Sequence, residues 1–141
     1  MGSSAWISVL ALVAAVALTA EGVRQLRRRW VLVKVEGVSM EPALRDGAEV
    51  LAKRTRRVAV GDVVVVAAPD PDLGWAEERA LRAPWWVKRI AAGPGEPMPG
   101  SGGAVPPDHY FLLGDNPAGE DSRRHGPCPA ALVLGVMVRE F

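Results

Sequence analysis

Two residues of this sequence could act together as a nucleophile and its base. Ser39 lies in the segment VEGVSMEPAL, and Lys88 lies in the segment WWVKRIAAGPGE. A serine hydroxyl is a weak nucleophile at neutral pH and needs a base that takes its proton. Histidine is the usual base, but a buried lysine that has lost its charge can do the same. Lys88 stands among apolar neighbours, Trp85, Trp86 and Ile90, which would suit an uncharged amine.

The amine of Lys88 could serve as a base only if its pKa falls from about 10.4 toward 7–8. Such a change corresponds to about 4 kcal/mol, and burial among apolar side chains is its usual source. Strand alternation would place Trp86, Lys88 and Ile90 on one face, and Val87 and Arg89 on the other. We therefore expect Lys88 to share an apolar face and Arg89 to face solvent. The alternative is a strand lysine whose amine reaches water along the apolar surface.

The residues beside Ser39 also suit a catalytic turn. Gly37 permits a tight turn and leaves nearby backbone amides accessible, which an oxyanion hole requires. Met40 is flexible and apolar, so we expect it to line an apolar substrate groove. Taken alone, however, the segment also fits an ordinary turn with a surface serine.

A third segment, LLGDNPAGEDSRRHGPCP (112–129), is polar and rich in turn residues. Asp115 and Asn116 belong to a predicted turn whose side chains cap their own backbone. Asp121 and Arg123 are close enough in sequence to form an ion pair that would stiffen the loop. A plain solvated loop is the alternative interpretation of this segment by itself.

Composition excludes several classes of function. The formal charge of the 141 residues is only +1, which argues against broad binding of nucleic acid. Cys128 is the only cysteine, so no disulfide can form within the chain, and it reads as a packed small side chain. His109 and His125 lack metal-ligand spacing with Cys128, so we expect no metal site. We expect His125 to be solvated.

The segment from Ala5 to Ala20 is an apolar run without charge. Extended to Val23 as a helix it would span roughly 28 Å, close to a hydrocarbon core of about 30 Å. We predict a membrane anchor with a basic juxtamembrane end over residues 1–29. A cleaved signal peptide and a buried helix are the alternatives, although residues 1–4 lack the usual basic charge.

After residue 29 the sequence changes to short runs of valine, isoleucine and aromatic residues separated by turn residues. A helix is conceivable only at 74–83, and the segments 69–74 and 93–108 read as flexible loops. We therefore predict a mainly β domain over 30–141. The predicted strands are 30–37, 48–52, 62–68, 85–91, 109–113 and 132–138.

In this order, these segments resemble the type I signal peptidase family of membrane-bound Ser/Lys endopeptidases, and its compact actinobacterial members in particular. VEGVSMEPAL resembles the segment of the nucleophile, GDVVVVAAP the strand after it, and VKRIAAGPGE the segment of the lysine. YFLLGDNPAGEDSRRHGPCP resembles the last motif, and ALVLGVMV resembles the closing strand. The match extends from Val35 to Val138. It implies a coiled β-sheet catalytic domain with one N-terminal transmembrane helix.

The resemblance implies Ser39 as the nucleophile, Lys88 as the general base, and the amide of Ser39 as an oxyanion donor. It implies further roles near the site: Gly37 and Met40 at the oxyanion hole and substrate groove, and Asp115, Asn116, Asp121 and Arg123 as its structural support. No cofactor or metal is implied.

The chain departs from the family pattern at three places. Gly37 stands where some relatives have a serine that adds an oxyanion donor. The loop PAGE (117–120) is one residue shorter than usual and lacks the serine that would hydrogen-bond the lysine, and Ser122 is not an obvious substitute. The accessory β subdomain of larger relatives is also missing.

The sequence therefore predicts a serine endopeptidase anchored in the plasma membrane by one span. It would remove signal or leader peptides from exported preproteins, with membrane lipid as its other partner and no nucleic acid. That role needs an extracytoplasmic domain, whereas the arginines after the span favour the cytoplasmic side. Two alternatives stay open: a cytoplasmic, self-cleaving repressor-type Ser/Lys autoprotease, and an inactive membrane-tethered β domain that binds a partner.

Overall fold

A computed structural model describes residues 2–80 and 84–141 of the chain. These residues form two compact units, Met1–Trp30 and Val31–Phe141. The division lies one residue after the predicted boundary. The sequence allowed a helix at 74–83, but the structure has one 3-10 turn there, Glu77–Arg79. Residues 81–83 of this segment lie outside the described part of the chain.

The first unit is the helix α1, Ser3–Arg29. Three arginines, Arg27, Arg28 and Arg29, occupy its last turn, where positive charge is favourable beside the helix dipole. Residues Ser4–Arg29 have a mean hydropathy of 2.0 over their most apolar window, and none of that window is buried. Length and composition therefore suit a membrane span, and a signal sequence would meet the same criteria.

The second unit contains a curled antiparallel sheet, as the sequence predicted. Its strands follow the order β1-β2-β7-β3-β4-β5-β6, so the last strand of the chain lies between β2 and β3. A short helix, α2 (Ser122–His125), follows β5, and a 3-10 turn, Ala130–Leu132, precedes β7. The strands are β1 Trp30–Lys34, β2 Glu49–Arg54, β3 Val63–Ala67, β4 Trp85–Ala92, β5 His109–Leu113, β6 Cys128–Pro129 and β7 Val133–Glu140.

Each of the six predicted strands is present, with small differences at the ends. β1 ends at Lys34 instead of residue 37, because the chain turns back at Gly37, which has a positive φ of 85°. The turn is closed by hydrogen bonds between Val35 and the segment of Gly47 and Ala48. The two-residue strand β6 is too short to be visible in the sequence pattern.

β3 forms the centre of the core, and all five of its residues are buried. Val64 lies opposite Lys88 on β4, and Val66 lies opposite Trp86. Cross-strand partners share a face of the sheet, so Lys88 is on the same face as Trp86 and the buried Ile90, as alternation predicted.

Candidate active site

Ser39 and Lys88 line one cavity, although they lie on different elements. Ser39 is in the loop between β1 and β2, and Lys88 is in the middle of β4. The cavity has a volume of about 210 Å³. Its walls are formed by Val35, Glu36, Ser39, Trp85, Trp86, Val87, Lys88 and Glu120.

The side chain of Lys88 is buried, with only 2% of the residue exposed. Its Nζ lies 4.7 Å from the ring centroid of Trp86, and within the described ranges it makes no hydrogen bond. Burial lowers the pKa of Lys88 from 10.5 to about 8, against the attraction of Asp121 and Glu120, and with a smaller contribution from Arg123. About a tenth of the amine is therefore neutral at pH 7, which is enough for it to act as a base.

The loop that carries Ser39 directs neighbouring side chains in opposite directions. Ser39 is half-buried at the cavity, whereas Met40 is fully buried in the cluster that contains Val65. Met40 was expected to line the groove, and the structure places it in the core instead. The turn, closed by the bond from the amide of Leu44 to the Met40 carbonyl, orients this side chain inward.

The backbone near Ser39 has a donor that is available to a ligand. In the part of the chain that the structure describes, the amide of Ser39 donates no hydrogen bond. By contrast, the amide of Gly37 donates to the carboxylate of Asp46 at 2.8 Å, and Gly37 is absent from the cavity wall. An amide at the nucleophile that lacks an internal acceptor is the kind of donor that an oxyanion hole needs.

The loop after β5 holds the Ser39 loop in place. The amide of Asn116 donates to the carbonyl of Ser39 at 2.9 Å, and its Nδ2 donates to the carbonyl of Val38 at 3.0 Å. Asn116 Oδ1 accepts from the amide of Ala118 and so caps its own turn. Asn116 thus connects the two loops.

Asp115 fixes the same loop to β4. Its carboxylate accepts two hydrogen bonds from Arg89, at 2.9 Å from Nε and at 2.8 Å from Nη2. Arg89 also donates to the carbonyl of Gly61. Arg89 was expected on the solvated side, and its side chain is 39% exposed while it makes this bidentate pair. Bidentate pairs fix orientation more strongly than single contacts.

Asp121 is the buried anchor of the loop. Its carboxylate accepts from the amides of Gly114 and Arg123 and from the guanidinium of Arg123, at 2.7 Å from Nη2. Burial acts to raise the pKa of Asp121, but the hydrogen bonds from Arg123 and Gly114 outweigh it and hold the pKa below 3.8. Asp121 therefore stays charged at neutral pH and caps the N-terminus of α2.

Two glycines make the close approach of the loops possible. A Cβ on Gly119 would lie 2.6 Å from Cβ and 2.9 Å from Cα of Ser39, and a Cβ on Gly114 would lie 2.5 Å from the Ser39 carbonyl oxygen. Gly119 was not among the predicted site residues. No local signal marks it, because the contact joins segments that are far apart in the chain.

Glu120 and His125 also differ from expectation. Glu120 was not singled out, yet it lines the cavity. His125 was expected to be solvated, but its side chain is only 14% exposed. It packs edge-on against Trp75 and Trp86, with ring centroids at 6.2 and 5.6 Å. The expectation was wrong because α2 turns this residue inward from a loop that reads as polar.

Ser122 does not compensate for the missing lysine-binding serine. Its hydroxyl accepts a hydrogen bond from the backbone amide of Leu112 on β5, at 2.9 Å, and is thus bound away from Lys88. Cys128 is buried, and burial raises the pKa of its thiol to about 12, so the thiol is unreactive. Among the residues that are described, no group of three or more His, Cys, Asp or Glu could hold a metal ion.

A serine and a buried, partly neutral lysine that line one cavity of an antiparallel β domain have the features of a serine peptidase site. The family model described as signal peptidase, peptidase S26, matches residues 4–99 and 96–140. The chain therefore belongs to the signal peptidase family, as its motifs indicated. No curated protein matches the chain.

Proposed function

We propose that this chain is a membrane-anchored serine endopeptidase that removes signal or leader peptides from exported proteins by a Ser39/Lys88 dyad. The observation that carries the proposal is the cavity that contains both Ser39 and a lysine whose burial lowers its pKa to about 8. Membership of the signal peptidase family supports the choice of substrate class. The apolar helix α1 supports anchoring.

In the proposed reaction, the neutral amine of Lys88 takes the proton of Ser39 as Oγ attacks the scissile carbonyl. The oxyanion receives a hydrogen bond from the amide of Ser39, a contact that typically contributes about 3 kcal/mol to the transition state. The ammonium of Lys88 returns the proton to the leaving amine, and an acyl-enzyme remains. Lys88 then takes a proton from water, whose oxygen attacks the ester. As the bond to Ser39 Oγ breaks, the ammonium of Lys88 gives this proton to Oγ, which restores both side chains.

The cavity is small for a complete ligand, because sites for drug-sized molecules usually enclose about 300–1,000 Å³. A volume of about 210 Å³ suits one or two side chains of an extended peptide that passes across the surface. The resemblance to signal peptidases implies small residues before the cleaved bond. We propose that the domain faces the extracytoplasmic side despite the arginines at the end of α1, which a topology reporter fused after Phe141 would test.

The test is cleavage of precursor peptides by the full-length chain in lipid vesicles, followed by mass spectrometry. We expect the wild-type chain to cut leader peptides after a small residue, and Ser39→Ala to give no product. Ser101→Ala is the matched control, because Ser101 is exposed and does not line the cavity of Ser39 and Lys88, and this variant should cleave normally. Cleavage that persists in Ser39→Ala would contradict the proposal, and intact peptides with the wild type would favour a binding domain.

The rate of cleavage should depend on pH through Lys88. Because only the neutral amine accepts a proton, kcat/KM should rise about tenfold per pH unit below pH 8 and level off above it. The measurement is initial cleavage rates between pH 6 and 10 with one peptide. A rate that is flat across this range, or that falls as pH rises through 8, would be inconsistent with a lysine base.

A further inference from the structure

Glu120 supplies a negative charge in the wall of the catalytic cavity. Its Oε1 accepts from Nη1 of Arg124 at 2.6 Å, and its Oε2 lies 3.8 Å from Nε2 of His125. About half of the Glu120 side chain is exposed. The carboxylate is thus held at the cavity while it keeps access to water and to the cavity interior.

The ring of His125, which lies next to the Glu120 carboxylate, is packed in place. It is fixed against Trp75 and Trp86, and its buried Nε2 has no hydrogen-bond partner within the described residues. The ring of Trp86 in turn lies under the Nζ of Lys88. Glu120 and Lys88 are therefore connected through one packed group of aromatic rings.

We propose that Glu120 is a positioning residue, whose carboxylate faces the same cavity as the amine of Lys88 and attracts that amine when it becomes charged. The proposal rests on the proposed role of Lys88 as the base. A buried amine without a hydrogen bond needs an acceptor, and a carboxylate in the same wall can provide it.

The other polar groups near Lys88 are already engaged. Asp121 accepts hydrogen bonds from Gly114 and Arg123 and is fully buried, and the hydroxyl of Ser122 is bound to β5. Arg123 repels the ammonium, and Glu36 is absent from the charges that shift the pKa of Lys88.

Glu120 is free to change partners during the reaction. Its pair with Arg124 is exposed, with Arg124 at 72%, and exposed pairs are worth at most about 1 kcal/mol. When Lys88 takes the proton of Ser39, the new ammonium can attract the Glu120 carboxylate away from Arg124. The charge of Glu120 then stabilises the transition state, because it interacts more strongly with the ammonium than with the neutral amine.

The test compares pH–rate profiles of the full-length chain and Glu120→Gln, which keeps the shape of the side chain and removes its charge. We expect the rising limb near pH 8 to move to lower pH by about half a unit or more, since one nearby anion no longer favours the ammonium. The plateau at high pH should fall several-fold, because the amine is less well held. Glu120→Asp should recover part of both effects.

The matched control is Glu36→Gln, which removes a carboxylate from the same cavity wall and should leave the midpoint of the limb in place. His125→Gln tests whether the packing of the ring, and not the charge of Glu120, sets the midpoint of the limb. If Glu120→Gln leaves both limb and plateau unchanged, or if the limb moves only in His125→Gln, the positioning role is wrong.

A second measurement does not depend on cleavage. In a Ser39→Ala background, an added acylating reagent reacts with Lys88 only when its amine is neutral, so the pH dependence of this labelling reports the charge of Lys88. Glu120→Gln should shift the labelling curve to lower pH. Loss of activity in Lys88 variants together with no shift here would overturn the role of Glu120 alone. Full activity in Lys88 variants would instead overturn the proposed dyad, so the two failures can be told apart.

Discussion

Replacement of Lys88 by methionine should abolish cleavage and at the same time make the folded domain more stable. Methionine fills a similar volume without a charge, so the apolar packing around β4 is kept. A general base typically contributes a factor of about 10²–10⁴ to the rate. We expect cleavage to fall at least by that factor, because in the proposed mechanism Lys88 also delivers the proton to the leaving amine.

The gain in stability follows from the direction of the pKa shift. The folded-state pKa of Lys88, about 8, is below its ordinary value of 10.5, so the folded state binds the proton more weakly than the unfolded state does. Below pH 8 the charged lysine therefore destabilises the fold by up to roughly 3 kcal/mol, at about 1.4 kcal/mol per pKa unit. This penalty decreases as pH rises from 8 toward 10.5. The advantage of Lys88→Met should be greatest at neutral and acidic pH.

The measurement is chemical unfolding of wild type and Lys88→Met at pH 7 and pH 10, alongside the cleavage assay. Lys53→Met is the matched control, since Lys53 is exposed on β2 and should change neither quantity by much. Cleavage that survives in Lys88→Met would exclude the Ser/Lys dyad. If wild type and Lys88→Met are equally stable at pH 7, the charge of Lys88 does not destabilise the fold.

The second large effect is expected for Gly119→Ala. The added methyl group would lie 2.6 Å from Cβ of Ser39 and 2.9 Å from its Cα, closer than such atoms can approach. Both atoms are fixed by the backbone, so the two loops must move apart. A displacement of about 1 Å at a reacting group can lower a rate about 10²-fold. Cleavage should fall by that order, while the lysine limb near pH 8 is retained.

Gly93→Ala controls for the loss of a glycine as such. A Cβ there would meet nothing closer than 3.9 Å, an ordinary contact, and cleavage should be normal. Thermal unfolding of each variant separates a displaced nucleophile from an unfolded domain. Wild-type cleavage in Gly119→Ala would mean that the contact between the two loops does not determine the position of Ser39.

How far the sequence predicts this protein depends on the range of the interaction. The strand β3 was predictable from its unbroken run of valines. The strand β4 was predictable from alternation, which also marks the apolar face that contains Lys88. The direction of the Met40 side chain was not predictable, because the geometry of a single turn sets it. His125 was misjudged since a four-residue helix leaves no periodic signal. Gly119 matters through its contact with Ser39, and Glu120 through the cavity that it lines with Ser39 and Lys88, and both relations join segments that are far apart in the chain.

The position of β7 has a consequence for how the domain is assembled. Ser39 lies beside β2 and Lys88 lies on β4 next to β3, and β7 is the strand that joins β2 to β3. During synthesis Ser39 and Lys88 both leave the ribosome well before β7 does. Until β7 inserts, the pairs β1–β2 and β3–β4 lack the strand that joins them, and the Ser39 loop can reach β4 through the loop after β5. The sheet that carries the proposed dyad would thus be complete only after β7 has been made and has inserted.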